Sequence, residues 1–417
     1  MEQLMTDKEI WEEVINRAVE KGRDKPTLSL LADPLGRAMI IQAIEDDRYR
    51  FEPPRTMYIN KLTDAYVTYE QAQNLPKVRE LFAPSNDMDA VVLAWATKIM
   101  FKKFGHEIDR KCMSYKKGTG VYNIIYESVI PNMKHGGYKM DISKYFDNVS
   151  QEYLDYLLNK YKTGHEGFDR LLWNLYHDDR VYLGKATEVS HRYMGLRQGC
   201  ALATFFADVG LKDIDEMANK YDVYYVRYSD DILVLGKDSD KVLAEIEKML
   251  KPKGLELNPS KIECIDPKKP FEFLGCKIYP NGTVDLGKKA VTKYKHDVKH
   301  ICDRYRRTPA KGDDRRKLQK KAIREINKLT YAQSDKSYGF MPYWSRLAST
   351  DETIRMLDEY TKDHIKVIYT RKYIQTRFTA ETSNDWLKEN GYKSMVHMYR
   401  LRTYSKDLYE QELRKEF

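Results

Sequence analysis

Residues 225–235 read Tyr-Val-Arg-Tyr-Ser-Asp-Asp-Ile-Leu-Val-Leu, with two adjacent aspartates inside an otherwise apolar, β-branched run. No other feature narrows the fold as much. Ionised carboxylates within a buried strand pair are costly unless a cation or partner offsets them. A hairpin over Tyr221–Leu235 with its turn near Ser229 resolves the conflict, because the strands stay buried while Asp230 and Asp231 stand at the exposed end. A second acid has a similar setting: Asp141 follows a short strand, Lys139–Ile142, and precedes aromatic residues. Two or three carboxylates converging from neighbouring strands suit Mg²⁺, which keeps waters and bridges substrate phosphates. Two such ions activate an attacking hydroxyl and stabilise the leaving oxygen in phosphoryl transfer.

Around these acids the pattern is mixed. Residues 1–50 read as short amphipathic helices, with Trp11, Val14, Ile15 and Val19 at helical spacing. Glu52-Pro53-Pro54 forces an extended break. Arg55–Val67 and Lys77–Pro84 read as strands, and a helix follows over about Met88–Phe104. Gln198–Ala218 reads as mostly helical, Ser239–Leu250 as a helix, Phe271–Ile278 as a strand, and nearly everything after Lys288 as helix. The sum is an α+β chain with an all-α C-terminal region. Its 417 residues fit two to three domains at roughly 150 residues each.

Charge is concentrated. The chain is +9 overall, but residues 288–328 hold 16 Lys/Arg against five acids, +11, so the remainder nets −2. Such a stretch points to a polyanion, nucleic acid or an anionic membrane, as partner. Five scattered cysteines (Cys112, Cys200, Cys264, Cys276, Cys302) contain no CxxC, which argues against a disulfide scaffold or a zinc site and fits a reducing compartment. The first residues, Met1–Asp7, lack a signal peptide's cationic start and apolar run, and Ala90–Met100 is too short to span a bilayer. The expectation is a cytoplasmic protein with no membrane partner.

Five segments in order carry a family resemblance: DISKYFDNV (141–149), GLRQGCALATFFADV (195–209), YSDD (228–231), NPSK (258–261) and FEFLG (271–275). They resemble motifs A to E of a reverse transcriptase palm. Upstream, KVRELFAPSNDMDAVV (77–92) is similar to the fingers segment of bacterial reverse transcriptases, and Cys112–Gly120, with Ser114-Tyr115 and Gly118, to the glycine-containing segment that precedes motif A there. The resemblance implies a right-hand polymerase of fingers, palm and thumb, with an antiparallel palm sheet and an α-helical thumb and C-terminal region. The divisions it implies are an N-terminal helical extension over 1–52, fingers over 53–138, palm over 139–284 with fingers elements interleaved, a basic helical thumb over 285–345 and a C-terminal helical region over 346–417.

The resemblance also implies roles. Asp141, Asp230 and Asp231 match the catalytic aspartates that hold two Mg²⁺ (Mn²⁺ as a substitute) against the primer 3′-hydroxyl and the incoming dNTP. Phe146 matches the aromatic that closes the pocket beneath the sugar, where a ring clashes with a 2′-hydroxyl. Gln198 and Gly199 match the motif B pair near template and nucleotide, and Tyr228 a substrate-contacting position. Lys77 and Arg79 match basic residues that hold the triphosphate. Lys261 matches a general acid to the pyrophosphate. Phe273, Leu274 and Gly275 match the primer grip. The +11 stretch falls where a thumb begins, so Arg306, Arg307, Arg315 and Arg316 are expected on the template–primer phosphates. The partners implied are an RNA template, the DNA product and dNTPs.

Departures narrow the subgroup. Arg197 stands where the family usually has proline before Gln-Gly, and Ala203-Thr204 where Ser-Pro is common. Val291-Thr292 is followed by Lys293 rather than the glycine of a retron signature. No convincing set of RNase H acids follows, and the chain ends early for the maturase and endonuclease additions of group II intron proteins. By elimination the resemblance is to a stand-alone bacterial reverse transcriptase of the "unknown group" or abortive-infection type, acting in antiphage defence with a structured non-coding RNA. The region after Trp344-Ser345-Arg346, including Trp386–Tyr399, could bind a structured RNA, a second copy or another protein, and the sequence does not choose. Tyrosine is frequent, 32 of 417 residues; Tyr392, Tyr399, Tyr404 and Tyr409 fit packing and base stacking, or a hydroxyl that primes DNA synthesis. Four other readings are untemplated addition, RNA-dependent RNA synthesis, a non-catalytic palm-derived RNA-binding protein and a nucleotide cyclase. Phe146 argues against ribonucleotides, the three acids against a pure binder and the basic thumb against a cyclase.

Overall fold

The computed structural model describes residues 1–114, 120–334, 337–371 and 383–414. The chain divides into two units, Met1–Thr119 with His135–Ile265, and Gly120–Lys134 with Asp266–Phe417.

The first unit begins with the helices Glu2–Met5, Lys8–Glu20, Lys25–Ala32 and Pro34–Glu45. Asp7, Asp24 and Asp33 cap the last three by accepting backbone N–H groups, and Pro26 and Pro34 occupy first turns, where a missing N–H costs nothing. Lys8–Glu20 buries Ile10, Trp11, Val14 and Ala18, whereas Val19, expected on that face, is 56% exposed. The apolar stripe is turned by about one residue from that expectation, and Trp11 within it stacks on Trp95 of the Asp87–Phe104 helix, ring centroids 5.0 Å apart.

Two sheets follow. Strands β1 (Arg55–Asn60), β2 (Tyr66–Val67), β3 (Val78–Ala83), β4 (Gly137–Asp141), β5 (Arg180–Tyr182), β6 (Val189–His191), β7 (Val223–Tyr228), β8 (Asp231–Gly236) and β9 (Glu263–Ile265) belong to this unit. In one sheet β1 pairs antiparallel with β2 and β3 and parallel with β5, which pairs with β6. The other runs β7-β8-β4-β9 and is antiparallel throughout. Ile232, Leu233, Val234 and Leu235 are all buried, so β8 is covered on both faces, which accounts for its unbroken apolar run. Ser239–Leu250 packs on β4 and β8, and Lys212–Met217 on β7.

The second unit contains a π-helical turn, Asn123–Val129, a meander of β10 (Phe271–Phe273), β11 (Cys276–Ile278) and β12 (Val284–Leu286), and the helices Lys288–Arg307, Asp313–Tyr331, Phe340–Leu347, Glu352–Thr370, Asn384–Glu389, Met395–Tyr404 and Lys406–Arg414. Lys288–Arg307 buries Tyr294, Val298 and Cys302, one every four residues, leaving most of its basic residues on the other faces.

The helical N-terminus, the hairpin turning at Ser229 and the helical C-terminal region agree with the sequence reading. Phe271–Ile278 is not one strand: Leu274 and Gly275 take φ of 48° and 80° and turn the chain between β10 and β11. Gln198–Leu202 is a loop, and the helix expected there starts only at Ala203. All five cysteines are free thiols. Among the described residues no helix is long and apolar enough to cross a membrane.

Candidate active site

The pairing of β4 with β8 puts Asp141 directly opposite Asp231, and Tyr228 faces Asp231 from β7. Asp230 lies in the two-residue turn between β7 and β8, where Ser229 has φ 57°. The Asp230 carbonyl accepts the Ile142 N–H at 3.2 Å, which ties the turn to the end of β4. A short 3-10 turn, Pro259–Lys261, is started by Asn258, and its Lys261 ammonium reaches the Asp141 carboxylate at 2.6 Å.

Burial, and then the neighbouring carboxylates, push Asp230 and Asp231 above the ordinary carboxylate range, Asp231 to about 6; Lys261 opposes the shift in both, with Arg79 acting on Asp230 and Lys139 on Asp231. For Asp230 and Asp231, burial and the neighbouring acids outweigh the basic groups around them. That donor set fits a hard divalent cation. No group of three or more His, Cys, Asp or Glu among the described residues forms a ready cage, and Mg²⁺ sites take only one or two protein carboxylates beside water and phosphate oxygens.

The loop after β6 is clipped to Phe146 and to β3. Leu196 N–H donates to the Phe146 carbonyl (2.8 Å) and Phe82 N–H to the Gln198 carbonyl (2.7 Å). Gly199, at φ 101°, leaves room for Leu81 and Phe82 of β3 within 3.4 Å of where a Cβ would stand. Arg197 has φ 61°, which proline cannot adopt, and this explains the departure from the family's proline. Its buried guanidinium donates to the Asp178 carbonyl. Phe146 itself is half-buried beside Tyr145, ring centroids 5.6 Å apart.

Arg79 and Lys77 are both exposed at the start of β3, and Arg79 lies within electrostatic reach of Asp230. The structure adds Lys61, which the sequence reading passed over. Its N–H donates to the Lys77 carbonyl at 3.0 Å, so it sits across the β1–β3 pairing from Lys77. Its ammonium is held below the usual range by partial burial, with Arg79 and Lys261 adding repulsion and Asp147 and Asp141 opposing it. The register of β1 against β3 was the signal for it, hidden by the 16 residues between Lys61 and Val78.

Ser114 also reaches the site, accepting the Ser229 N–H at 2.6 Å; Tyr115 and Gly118 of the same segment lie outside the described residues.

Within the second unit, Phe273, Leu274 and Gly275 form the β10–β11 turn, and the Gly275 carbonyl accepts the Gly287 N–H at 2.8 Å. The four arginines separate. Arg307 is exposed and Arg306 pairs with Asp303 at 3.0 Å. Arg315 is buried, contrary to its expected place on a nucleic-acid surface: it shares a helix face with Gln319, Ala322 and Ile326 and donates to the carbonyls of Ile368 and Ala310. Arg316 lies between the rings of Tyr369 and Trp386, 4.0 and 4.4 Å from their centroids. If the basic stretch holds nucleic-acid phosphates, as the resemblance implies, Arg307→Ala is expected to reduce the salt slope of template–primer binding by about 0.9, one phosphate's worth, without loss of stability. Arg315→Ala is expected to lower stability by about 1–3 kcal/mol through unsatisfied carbonyls, with the salt slope unchanged. Anisotropy titrations across salt and thermal unfolding separate the two.

The family described as "Reverse transcriptase (RNA-dependent DNA polymerase)" matches residues 87–278. No curated protein sequence matches the chain. Among solved structures, the telomerase from Candida albicans in complex with the TWJ fragment of telomeric RNA is 13% identical, covering 90% of this chain and 66% of that one, with a TM-score of 0.43. The apo telomerase from Candida tropicalis, truncated from its C-terminal domain, is 14% identical, covering 51% of this chain and 53% of that one, with a TM-score of 0.41. The chain thus spans 66% and 53% of the lengths of these two structures. The matched span contains Asp141, Asp230 and Asp231 on their antiparallel sheet. Residues 87–278 are therefore a reverse transcriptase domain, on an α+β fold of the right-hand polymerase class.

Proposed function

We propose that the chain copies an RNA template into DNA from dNTPs, with Asp141, Asp230 and Asp231 holding two Mg²⁺. The observation that carries this reading is the register that sets Asp141 against Asp231 with Asp230 in the adjoining turn. Bound there, the ions supply positive charge to the 3′-hydroxyl and the triphosphate. The chain's own groups do the rest. Arg79 and Lys61 bind the triphosphate from the β1–β3 hairpin, with Lys77 beside them. Lys261, already at the carboxylates, delivers a proton to the departing pyrophosphate. Phe146 excludes a 2′-hydroxyl beneath the sugar, and Gln198, Gly199 and Tyr228 border the nascent pair. Phe273, Leu274 and Gly275 grip the primer, and Arg307 and its neighbours hold duplex phosphates. The template we infer is a structured non-coding RNA, in a cytoplasmic bacterial enzyme of antiphage defence.

Incubating the full chain with an RNA template, a DNA primer, Mg²⁺ and labelled dNTPs tests the activity: primer extension dependent on the RNA is expected, and its absence refutes the reading. Phe146→Val is expected to raise rNTP use relative to dNTP use by at least about tenfold, some 1.4 kcal/mol of relieved clash. An unchanged ratio in a competition assay takes the specificity role away from Phe146. Among Tyr392, Tyr399, Tyr404 and Tyr409, Tyr404 is 84% exposed while Tyr392 and Tyr409 are buried. Of these four, Tyr404 has the most open hydroxyl for a protein-primed form of the reaction, which the same incubation without primer tests as label that survives denaturation.

A further inference from the structure

Beneath the carboxylate-bearing turn lies a set of buried polar groups that the roles above do not employ. Arg227, on β7 two residues before Ser229, has no exposed surface. Its guanidinium donates to both oxygens of the equally buried Asp215 (2.8 and 2.6 Å), to the Asp208 carbonyl (2.9 Å) and to the Ser229 carbonyl (3.2 Å). The Tyr225 hydroxyl donates to the same Asp215 at 2.9 Å. Along the outer edge of β7 runs the segment Lys111–Ser114: Arg227 N–H donates to the Lys111 carbonyl (2.9 Å) and Met113 N–H to the Arg227 carbonyl (2.8 Å). Ser114 is 1% exposed, and its Oγ accepts the Ser229 N–H at 2.6 Å.

Ser229 is therefore held at both backbone groups, its N–H by Ser114 and its carbonyl by Arg227. It is also the residue with φ 57°, a conformation that a side-chain-bearing residue keeps when its surroundings enforce it. A hairpin turn of Asn-Gly needs no such support. Replacing a buried ion pair by apolar residues is often neutral for stability, so stability alone does not account for this one.

We propose that Ser114 and Arg227, the latter oriented by Asp215, are positioning residues that clamp Ser229 and so fix where Asp230 and Asp231 stand relative to Asp141. This rests on the reading of the three acids as the metal-binding site. Releasing either end of Ser229 lets the carboxylates drift, and a misplacement of about 1 Å costs on the order of 10²-fold in rate. The effect falls on metal affinity and turnover, not on the grip of template and primer.

The test uses the full chain, with Mn²⁺ binding followed by calorimetry and primer extension followed across Mg²⁺ concentrations, alongside template–primer affinity and the unfolding midpoint. Ser114→Ala is expected to raise the metal concentration for half-saturation about tenfold and to lower kcat by about 10–100-fold, with template–primer affinity within about twofold of the wild type. Ser114→Cys, which keeps a weak acceptor of similar size, is expected to fall between the two. A lower unfolding midpoint with an unchanged metal requirement would show a purely structural contact and overturn the proposal. Should Ser114→Ala not fold, Ser114→Cys carries the same comparison. A wild-type chain that binds Mn²⁺ but extends no primer refutes reverse transcription and leaves calorimetry to decide the positioning role; one that binds no Mn²⁺ overturns both.

Discussion

The Asp230→Asn/Asp231→Asn chain is expected to lose dNTP incorporation by at least about 10³-fold and, with divalent metal chelated, to unfold at a higher temperature than the wild type at pH 7.5. The first effect follows from the proposed role of these carboxylates in holding the cations: several kcal/mol of transition-state charge stabilisation go with them, at about 1.4 kcal/mol per decade of rate. The second follows from crowding. Burial and the neighbouring acids raise Asp231 from 3.8 in the unfolded chain to about 6 in the folded one. A raised carboxyl binds its proton more tightly when folded, so wild-type stability falls as pH climbs from about 4 to about 6 and stays reduced above that. For Asp231 the reduction amounts to about 3 kcal/mol. Asparagine carries no charge at any pH. The advantage of the variant is thus full above pH 6 and vanishes below pH 4, which unfolding scans at pH 7.5 and 4 read directly. Incorporation that survives the double substitution removes these acids from the chemistry; a variant less stable than wild type at pH 7.5 shows that the carboxylates are not in conflict.

The second large effect concerns the floor of the same sheet. Arg227→Met is expected to lower unfolding free energy by about 3–5 kcal/mol, because it leaves Asp215 charged, buried and without its partner. Burial alone pushes the Asp215 carboxyl upward, and Arg227 is the main group opposing that. Adding Asp215→Leu removes the stranded charge, so the double variant is expected to recover more than half of the loss in denaturant titrations. An equal loss in single and double variants would instead assign the energy to the carbonyls of Asp208 and Ser229, which lose their donor either way.

How far the sequence reached depended on whether a residue's role was local. Asp230 and Asp231 were legible because charge inside an apolar run has few solutions, and the hairpin is the cheapest. Asp141 was legible because its strand and acid repeat that logic. Lys61 was not, since the strands that bring it beside Lys77 are separated by a long connection, and pairing across it leaves no local pattern. Arg227 and Asp215 were missed for a related reason: a polar residue in an apolar strand looks the same whether it meets water or a partner 12 residues away. Arg315 is a case where the signal existed. Arg315, Gln319, Ala322 and Ile326 recur at helical spacing, so the face that carries the arginine is the apolar one. Total charge over residues 288–328 obscured that periodicity. The turn at Leu274 and Gly275 was placed by family resemblance, whereas propensity alone read one strand through it.

The division of the chain has a consequence for its synthesis on the ribosome. Gly120–Lys134 belongs to the unit otherwise formed by Asp266–Phe417, and its Ile124, Ile125 and Val129 are fully buried there. The Tyr126 hydroxyl bonds the carbonyl of Leu347, 221 residues downstream. At roughly 5–20 residues per second, about 10–45 s pass between the emergence of this apolar segment and that of its partner. For that interval the segment lacks the Leu347 partner while the sequence around it can already begin to fold, which gives a chaperone time to act on it.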